Sequence, residues 1–101
     1  MLFENLKIRD VNLKNRVVVS PMCQYSAKEG YVQTHHKTHY GQLALGGAGL
    51  VFLEATAVTA QGRITNGCLG IWDNKQIDGL REITQSIKVL GSIPAIQLGH
   101  A

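Results

Sequence analysis

Cys23 and Tyr25 stand two residues apart in Arg16–Ser26, RVVVSPMCQYS, directly after the short β-branched run Val17–Val19. A thiol can hydrogen-bond, titrate and react as its thiolate. A phenol donates a hydrogen bond and stacks on a ring. Strands that only hold a core together commonly give way to Gly, Asn or Asp. This one gives way to Ser20-Pro21-Met22-Cys23. Two further apolar runs end in the same manner. Leu50–Ala55 breaks at Glu54-Ala55-Thr56, and Ile93–Leu98 closes on Gln97-Leu98-Gly99-His100.

Each of these residues also has a plain structural role open to it. Met22 is a natural core filler, and a small buried thiol such as Cys23 is commonly inert packing. Gln97 can cap a strand end, and Glu54 can pair with a basic side chain beneath it. The chemical reading gains weight only if the fold gathers the three strand ends on one edge.

The pattern of elements predicts that gathering. Leu6–Lys14 reads as a tiny hairpin about Asp10-Val11, too short to be a domain and suited to plugging something larger. Val17–Ser20 is expected as a first buried strand. After a turn at Glu29-Gly30, Thr34 is the expected N-cap of a helix whose apolar face carries His36, Tyr40, Leu43 and Ala44. Gly46-Gly47 ends it. Leu50–Ala55 reads as a strand covered on both faces, followed by a polar loop, TAQGRITNG. Asp73 and Gln76 have capping-box spacing. Ile77, Leu80, Ile83, Ile87 and Leu90 then repeat at helical intervals, and Gly91 stops them. Ile93–Leu98 is a third strand, with Pro94 held to its start because it donates no ladder bond. The order hairpin, β, α, β, α, β predicts parallel strands, helices packed outside and right-handed crossovers. Parallel strands share a direction, so their C-terminal ends line one rim, the edge where α/β folds bind ligands.

Composition bounds the alternatives. The 101 residues suit one small domain, with an apolar fraction of 45% that is ordinary for a folded chain. A net charge of +3 with scattered Lys and Arg forms no basic block, so no nucleic-acid partner is expected. MLFENLKIRD mixes acids with apolar residues and is not expected to be a signal peptide. No run approaches the ~18 apolar residues of a membrane span, so no membrane partner is expected. Cys23 and Cys68 are expected as free thiols in a reducing cytoplasm. His35, His36 and His39 lack a Cys or acid to complete a metal site nearby, so none is expected. GGAG at residues 46–49 precedes a strand, where a phosphate loop should follow one.

On these residues the chain resembles the N-terminal part of the Old Yellow Enzyme family, in its bacterial thermophilic-like ene-reductase subgroup. The resemblance runs from Leu2 to Ala101. It rests on LKNRVVVSPMCQYS, HYGQLALGGAGLVFLEATAV, QGRIT, LGIW and IQLGHA, in the right order and at the right distances. It implies an α/β fold, the N-terminal part of a (β/α)8 TIM barrel: the N-terminal hairpin plus the first three strands. It implies FMN as cofactor, NADPH or NADH as reductant, and hydride transfer to an activated C=C bond in a small α,β-unsaturated substrate. By position, Ser20, Pro21, Met22 and Cys23 would line the flavin, with Cys23 tuning its potential. Cys23 in place of a Thr is what points to this subgroup. Tyr25 would donate a hydrogen bond to substrate, Ala55 would meet the ring through its backbone, and Gln97 would bond the pyrimidine edge. Relatives of this kind are often dimers or tetramers, so a homo-oligomeric parent is implied.

The family's substrate-anchoring His pair, its proton-donating Tyr and its late phosphate loops belong to later segments. His100 is not one of that pair and receives no catalytic role. Three strands of eight, within the about 250 residues such a barrel needs, make residues 1–101 the expected N-terminal segment of one FMN-binding domain, inactive alone. Two other readings stay open: a non-catalytic βαβαβ domain binding a flavin or a protein, and a different FMN barrel of the dihydroorotate-dehydrogenase type. SPMCQYS and LGIW argue against the latter.

Overall fold

The computed structural model describes all residues, Met1–Ala101. Strand β1 (Leu6–Ile8) pairs antiparallel with β2 (Val11–Leu13), from Leu6↔Leu13 to Ile8↔Val11. The hairpin therefore turns at Arg9-Asp10, one residue earlier than expected, with Arg9 in the left-handed region at φ 52°. Beyond it lie β3 (Val18–Val19), α1 (Thr34–Leu45), β4 (Leu50–Ala57), β5 (Leu69–Gly70), a 3-10 turn (Asn74–Gln76), α2 (Ile77–Val89) and β6 (Ile93–Gly99).

The parallel sheet is built around β4. Strand β6 pairs with it along one edge, from Leu50↔Ile93 to Ala57↔Gly99. Strand β3 meets Leu50 and Val51, and β5 meets Thr56 and Ala57. Those four residues already have β6 partners, so β3 and β5 must share the opposite edge of β4. No further strand lies beyond β3 or β6.

The helices start and stop for local reasons. Asp73 accepts the Lys75 amide at 2.9 Å, and the Gln76 side chain reaches back to the Asp73 amide at 3.2 Å. This is the expected capping box, closing a 3-10 turn that leads into α2. Helix α1 begins one position before its expected start. Gln33 is the N-cap and Thr34 the first helical residue, because the His36 ring takes the Gln33 amide at 3.0 Å. Gly47 (φ 101°) and Gly91 (φ 92°) adopt the left-handed backbone that ends α1 and α2 without a Cβ clash.

One face of the sheet is packed. Val51 and Leu53 of β4 bury against Tyr40 and Ala44 of α1 and Leu80, Ile83 and Ile87 of α2. Leu50, Phe52 and Ala55 are only half-buried. The expectation of a strand covered on both faces is thus corrected: helices lie on one side and the other face is only partly covered. The first strand is also shorter than the expected Val17–Ser20. Its ladder has one neighbour, β4, and Val17 and Val18 are exposed. No helix is long and apolar enough to cross a membrane.

Candidate functional site

Strands β4 and β6 end level with each other on one rim, whereas β3 stops lower, opposite Val51. Strand β3 releases the chain into Ser20–Tyr25, β4 ends past Ala55, and β6 ends past Gln97. Ala55 and Gln97 are direct register partners. Both line an open cleft of about 220 Å³ with Ala57, Ile64, Leu98 and His100. Ser20, Pro21, Met22, Cys23 and Tyr25 do not line this cleft. They lie on the loop after β3, beside the other edge of β4. Two of the three expected strand ends thus share the rim, and the Ser20–Tyr25 loop leaves from the other side of β4.

The Ser20–Ala27 loop is held by its own polar groups. The Gln24 amide donates to the Met22 carbonyl at 3.0 Å, and the Ser26 hydroxyl to the Gln24 carbonyl at 2.9 Å. Gln24 Oε1 lies 2.9 Å from His35 Nε2, tying the loop to the first turn of α1. The Ala27 amide donates to the Gly67 carbonyl at 3.0 Å. Tyr25 sits at φ 52° with its side chain 58% exposed. A left-handed bulky residue is an uncommon, strained conformation of the kind that clusters at ligand sites. Cys23 is a free, half-buried thiol.

On the far side, the loop after β4 is tied to the end of β6. The Gly62 amide donates to Thr59 Oγ1 at 3.0 Å, Thr59 Oγ1 stands 3.2 Å from His100 Nδ1, and the Ala101 amide donates to the Gly62 carbonyl at 2.8 Å. His100 thereby has a side-chain partner in Thr59.

Glu54 is sealed beneath the rim. Its expected basic partner exists only in part. Its main partner is Tyr40, whose hydroxyl donates to Glu54 Oε2 at 2.7 Å and accepts the Glu54 amide at 2.8 Å. His36 Nε2 faces the other carboxylate oxygen at 3.5 Å, longer than a good hydrogen bond. The Gln33 amide donates to His36 Nδ1, so the neutral ring carries its proton on Nε2, toward Glu54. Burial pushes the Tyr40 phenol well above its ordinary range, and its hydrogen bond to Glu54 adds to the effect. Burial pushes the His39 imidazole down, helped by His35, whose ring stacks on it at 5.9 Å. Sequence reasoning placed Tyr40 and His36 only on a helix face. An acid at the end of an apolar run was the one signal that a buried polar partner was needed.

A thiol, a hydroxyl, an amide and a small alanine at these strand ends and the loop after β3, with a mainly apolar cleft, suit a planar heteroaromatic ring with one polar edge. FMN is such a group, and these residues fit it in kind. The parallel sheet with helices on one face is the topology of an α/β barrel segment. The same fold occurs in morphinone reductase, which superimposes with a TM-score of 0.90 at 29% identity over 98% of this chain and 26% of that one. It occurs also in the old yellow enzyme homologue of Zymomonas mobilis, with a TM-score of 0.89 at 27% identity over 98% of this chain and 28% of that one. The chain has the fold of the N-terminal part of a (β/α)8 TIM barrel.

The chain belongs to the NADH:flavin oxidoreductase / NADH oxidase family, whose family model it matches over residues 1–101. It is 55% identical over 102 aligned positions to an NADPH dehydrogenase of Bacillus licheniformis, covering 99% of this chain and 30% of that protein. The chain thus spans about a third or less of the relatives it matches. FMN and a reduced nicotinamide are the cofactors of this family.

Proposed function

We propose that the chain is the N-terminal segment of an FMN-dependent NAD(P)H oxidoreductase that reduces activated C=C bonds. Residues 1–101 form one part of a single FMN-binding barrel domain in this reading. Its main support is the direct pairing of Ala55 with Gln97 at the C-terminal rim of a parallel sheet, beside an apolar cleft. When bound, FMN supplies the hydride transfer, taken from the nicotinamide and passed on to the unsaturated acceptor.

The chain's own residues bind and orient. Ser20, Pro21 and Met22 form the wall after β3. The Cys23 thiol lies at the ring edge, where a hydrogen-bond donor makes negative charge on the reduced cofactor more tolerable. Ala55 offers backbone with only a methyl beside it, so a flat ring can approach closely. The exposed Gln97 amide donates to and accepts from the polar edge of the ring. Tyr25 extends from the loop after β3 and donates a hydrogen bond to the polarised group of the acceptor, stabilising charge that grows as hydride arrives.

The 101-residue chain alone turns over nothing in this reading, because β3 and β6 each keep an unpaired edge. The test is NADPH-dependent reduction of a small enone, with FMN supplied, by the full-length protein and by the 101-residue chain. Turnover by the full-length protein alone is expected. No turnover and no FMN uptake by the full-length protein would overturn the reading. Steady turnover by the short chain would overturn its inactivity.

A further inference from the structure

We propose that Tyr40 is a positioning residue for the Ala55–Gln97 pair: its hydroxyl holds the bulge at Glu54 that sets their register. The inference rests on the FMN reading above. Pairing between β4 and β6 proceeds one for one from Leu50↔Ile93 to Leu53↔Ile96, and the next pair is Ala55↔Gln97. Glu54 is the extra residue. Side chains alternate along a strand, so one inserted residue turns everything after it to the other face. Without the bulge, Ala55 would share the parity of Val51 and Leu53, which are buried against the helices. With it, Ala55 joins the half-buried face of Leu50 and Phe52 and lines the rim cleft opposite Gln97.

A bulge leaves a backbone amide outside the ladder, and a buried orphan donor is strongly disfavoured. The Glu54 amide is rescued by Tyr40. One phenol oxygen accepts that amide at 2.8 Å and donates to Glu54 Oε2 at 2.7 Å. It therefore fastens both the backbone and the side chain of the bulged residue. Tyr40 and Glu54 are each 1% exposed, so no water can replace the hydroxyl cheaply. The phenol acts through Glu54 and touches neither cofactor nor substrate in this reading.

The test uses the full-length protein and three variants. Tyr40→Phe keeps the ring and removes the hydroxyl. Ile83→Val is an ordinary loss from the same core. Glu54→Gln keeps an acceptor for the phenol and leaves the backbone amide untouched. The readouts are the FMN dissociation constant, the visible spectrum of the bound flavin and the urea midpoint. Tyr40→Phe is expected to raise the dissociation constant about tenfold and to shift the bound spectrum. Ile83→Val is expected to lower the midpoint and move neither. If Tyr40→Phe behaves like Ile83→Val, with FMN affinity and spectrum unchanged, Tyr40 is merely structural and the proposal fails. Where Tyr40→Phe gives no folded protein, Glu54→Gln decides. Affinity within about twofold supports a bulge held by the phenol, and a tenfold loss would make the carboxylate charge responsible and overturn it. An unmodified protein that takes up no FMN sinks the flavin reading and this inference together. An unmodified protein that binds FMN, but no more tightly than its Tyr40→Phe variant does, sinks this inference alone.

Discussion

Gly41 and Gly67 invite the same substitution and should answer it with opposite signs. A Cβ placed on Gly67 would stand 2.7 Å from the Tyr25 carbonyl oxygen, 2.8 Å from its carbonyl carbon and 3.0 Å from its Cα. Comfortable carbon contacts lie near ~3.5 Å. All three neighbours are backbone, so no side chain can swing aside, and the loop must move by roughly half an ångström or more. Such overpacking costs about 1–3 kcal/mol. Gly41 lies inside α1 with nothing within 4 Å of its would-be Cβ. There alanine gains the helix preference it holds over glycine, about 1 kcal/mol. Gly67→Ala and Gly41→Ala should therefore differ by roughly 2–4 kcal/mol. Urea unfolding reads this as midpoints moving to either side of the unmodified protein at constant slope. A functional difference should accompany it. Gly67→Ala pushes on the backbone of Tyr25 and should raise the KM for the acceptor, whereas Gly41→Ala should leave it unchanged. If Gly67→Ala unfolds at the unmodified urea concentration or above, Tyr25 is not held by this contact and the reasoning fails.

Three further outcomes follow from named contacts. The His39 imidazole is held below its ordinary value by burial, with His35 adding to the effect. Its folded form thus resists protonation more than its unfolded form does, so this stability is present above the ordinary histidine pKa of about 6.5 and is lost as pH falls through the lowered folded value. Urea midpoints at descending pH should show a decline that His39→Gln flattens; an unchanged slope in the variant would refute it. Asp73→Ala removes the acceptor of the Lys75 amide and should cost about 0.5–2 kcal/mol, read as a lower urea midpoint. Tyr25→Phe should lower kcat/KM about tenfold with FMN content unchanged, as expected for loss of one hydrogen bond to the reacting molecule. Equal kcat/KM for the two proteins would remove Tyr25 from the proposed site.

Much of this fold is legible because short-range chemistry writes it. The run Ile77, Leu80, Ile83, Ile87, Leu90 marks α2; Leu80, Ile83 and Ile87 are buried where the period puts them, and Leu90 caps the helix end and is exposed. Asp73 and Gln76 mark its entrance, and Gly47 and Gly91 mark the exits of both helices. The parallel order follows from the alternation of elements, and with it the common rim of Ala55 and Gln97. What is not legible depends on residues distant in sequence. Leu69-Gly70 is a two-residue strand just after a polar loop, and only Thr56 and Ala57, thirteen positions earlier, make it one. No local propensity announces it.

The bulge at Glu54 belongs to the same class and matters more. Read as simple alternation, LVFLEA places Ala55 with Val51 and Leu53, against the helices, where it could meet no ligand. The resemblance placed Ala55 at the cofactor, and the two readings conflict by one residue. In the proposed reading the conflict is resolved through Tyr40, fourteen positions before Glu54, whose hydroxyl binds the residue that breaks the count. A buried acid at the end of an apolar strand is costly unless satisfied. Here its satisfaction and the register change are the same event. The acid that looked like a flaw in the strand is what allows a helix to fix the strand's phase. A local sequence window cannot reveal this, since the necessary phenol lies on a different element. Polar interruptions in buried strands are accordingly the places where alternation should be distrusted, and where the partner should be sought on the helix packed behind.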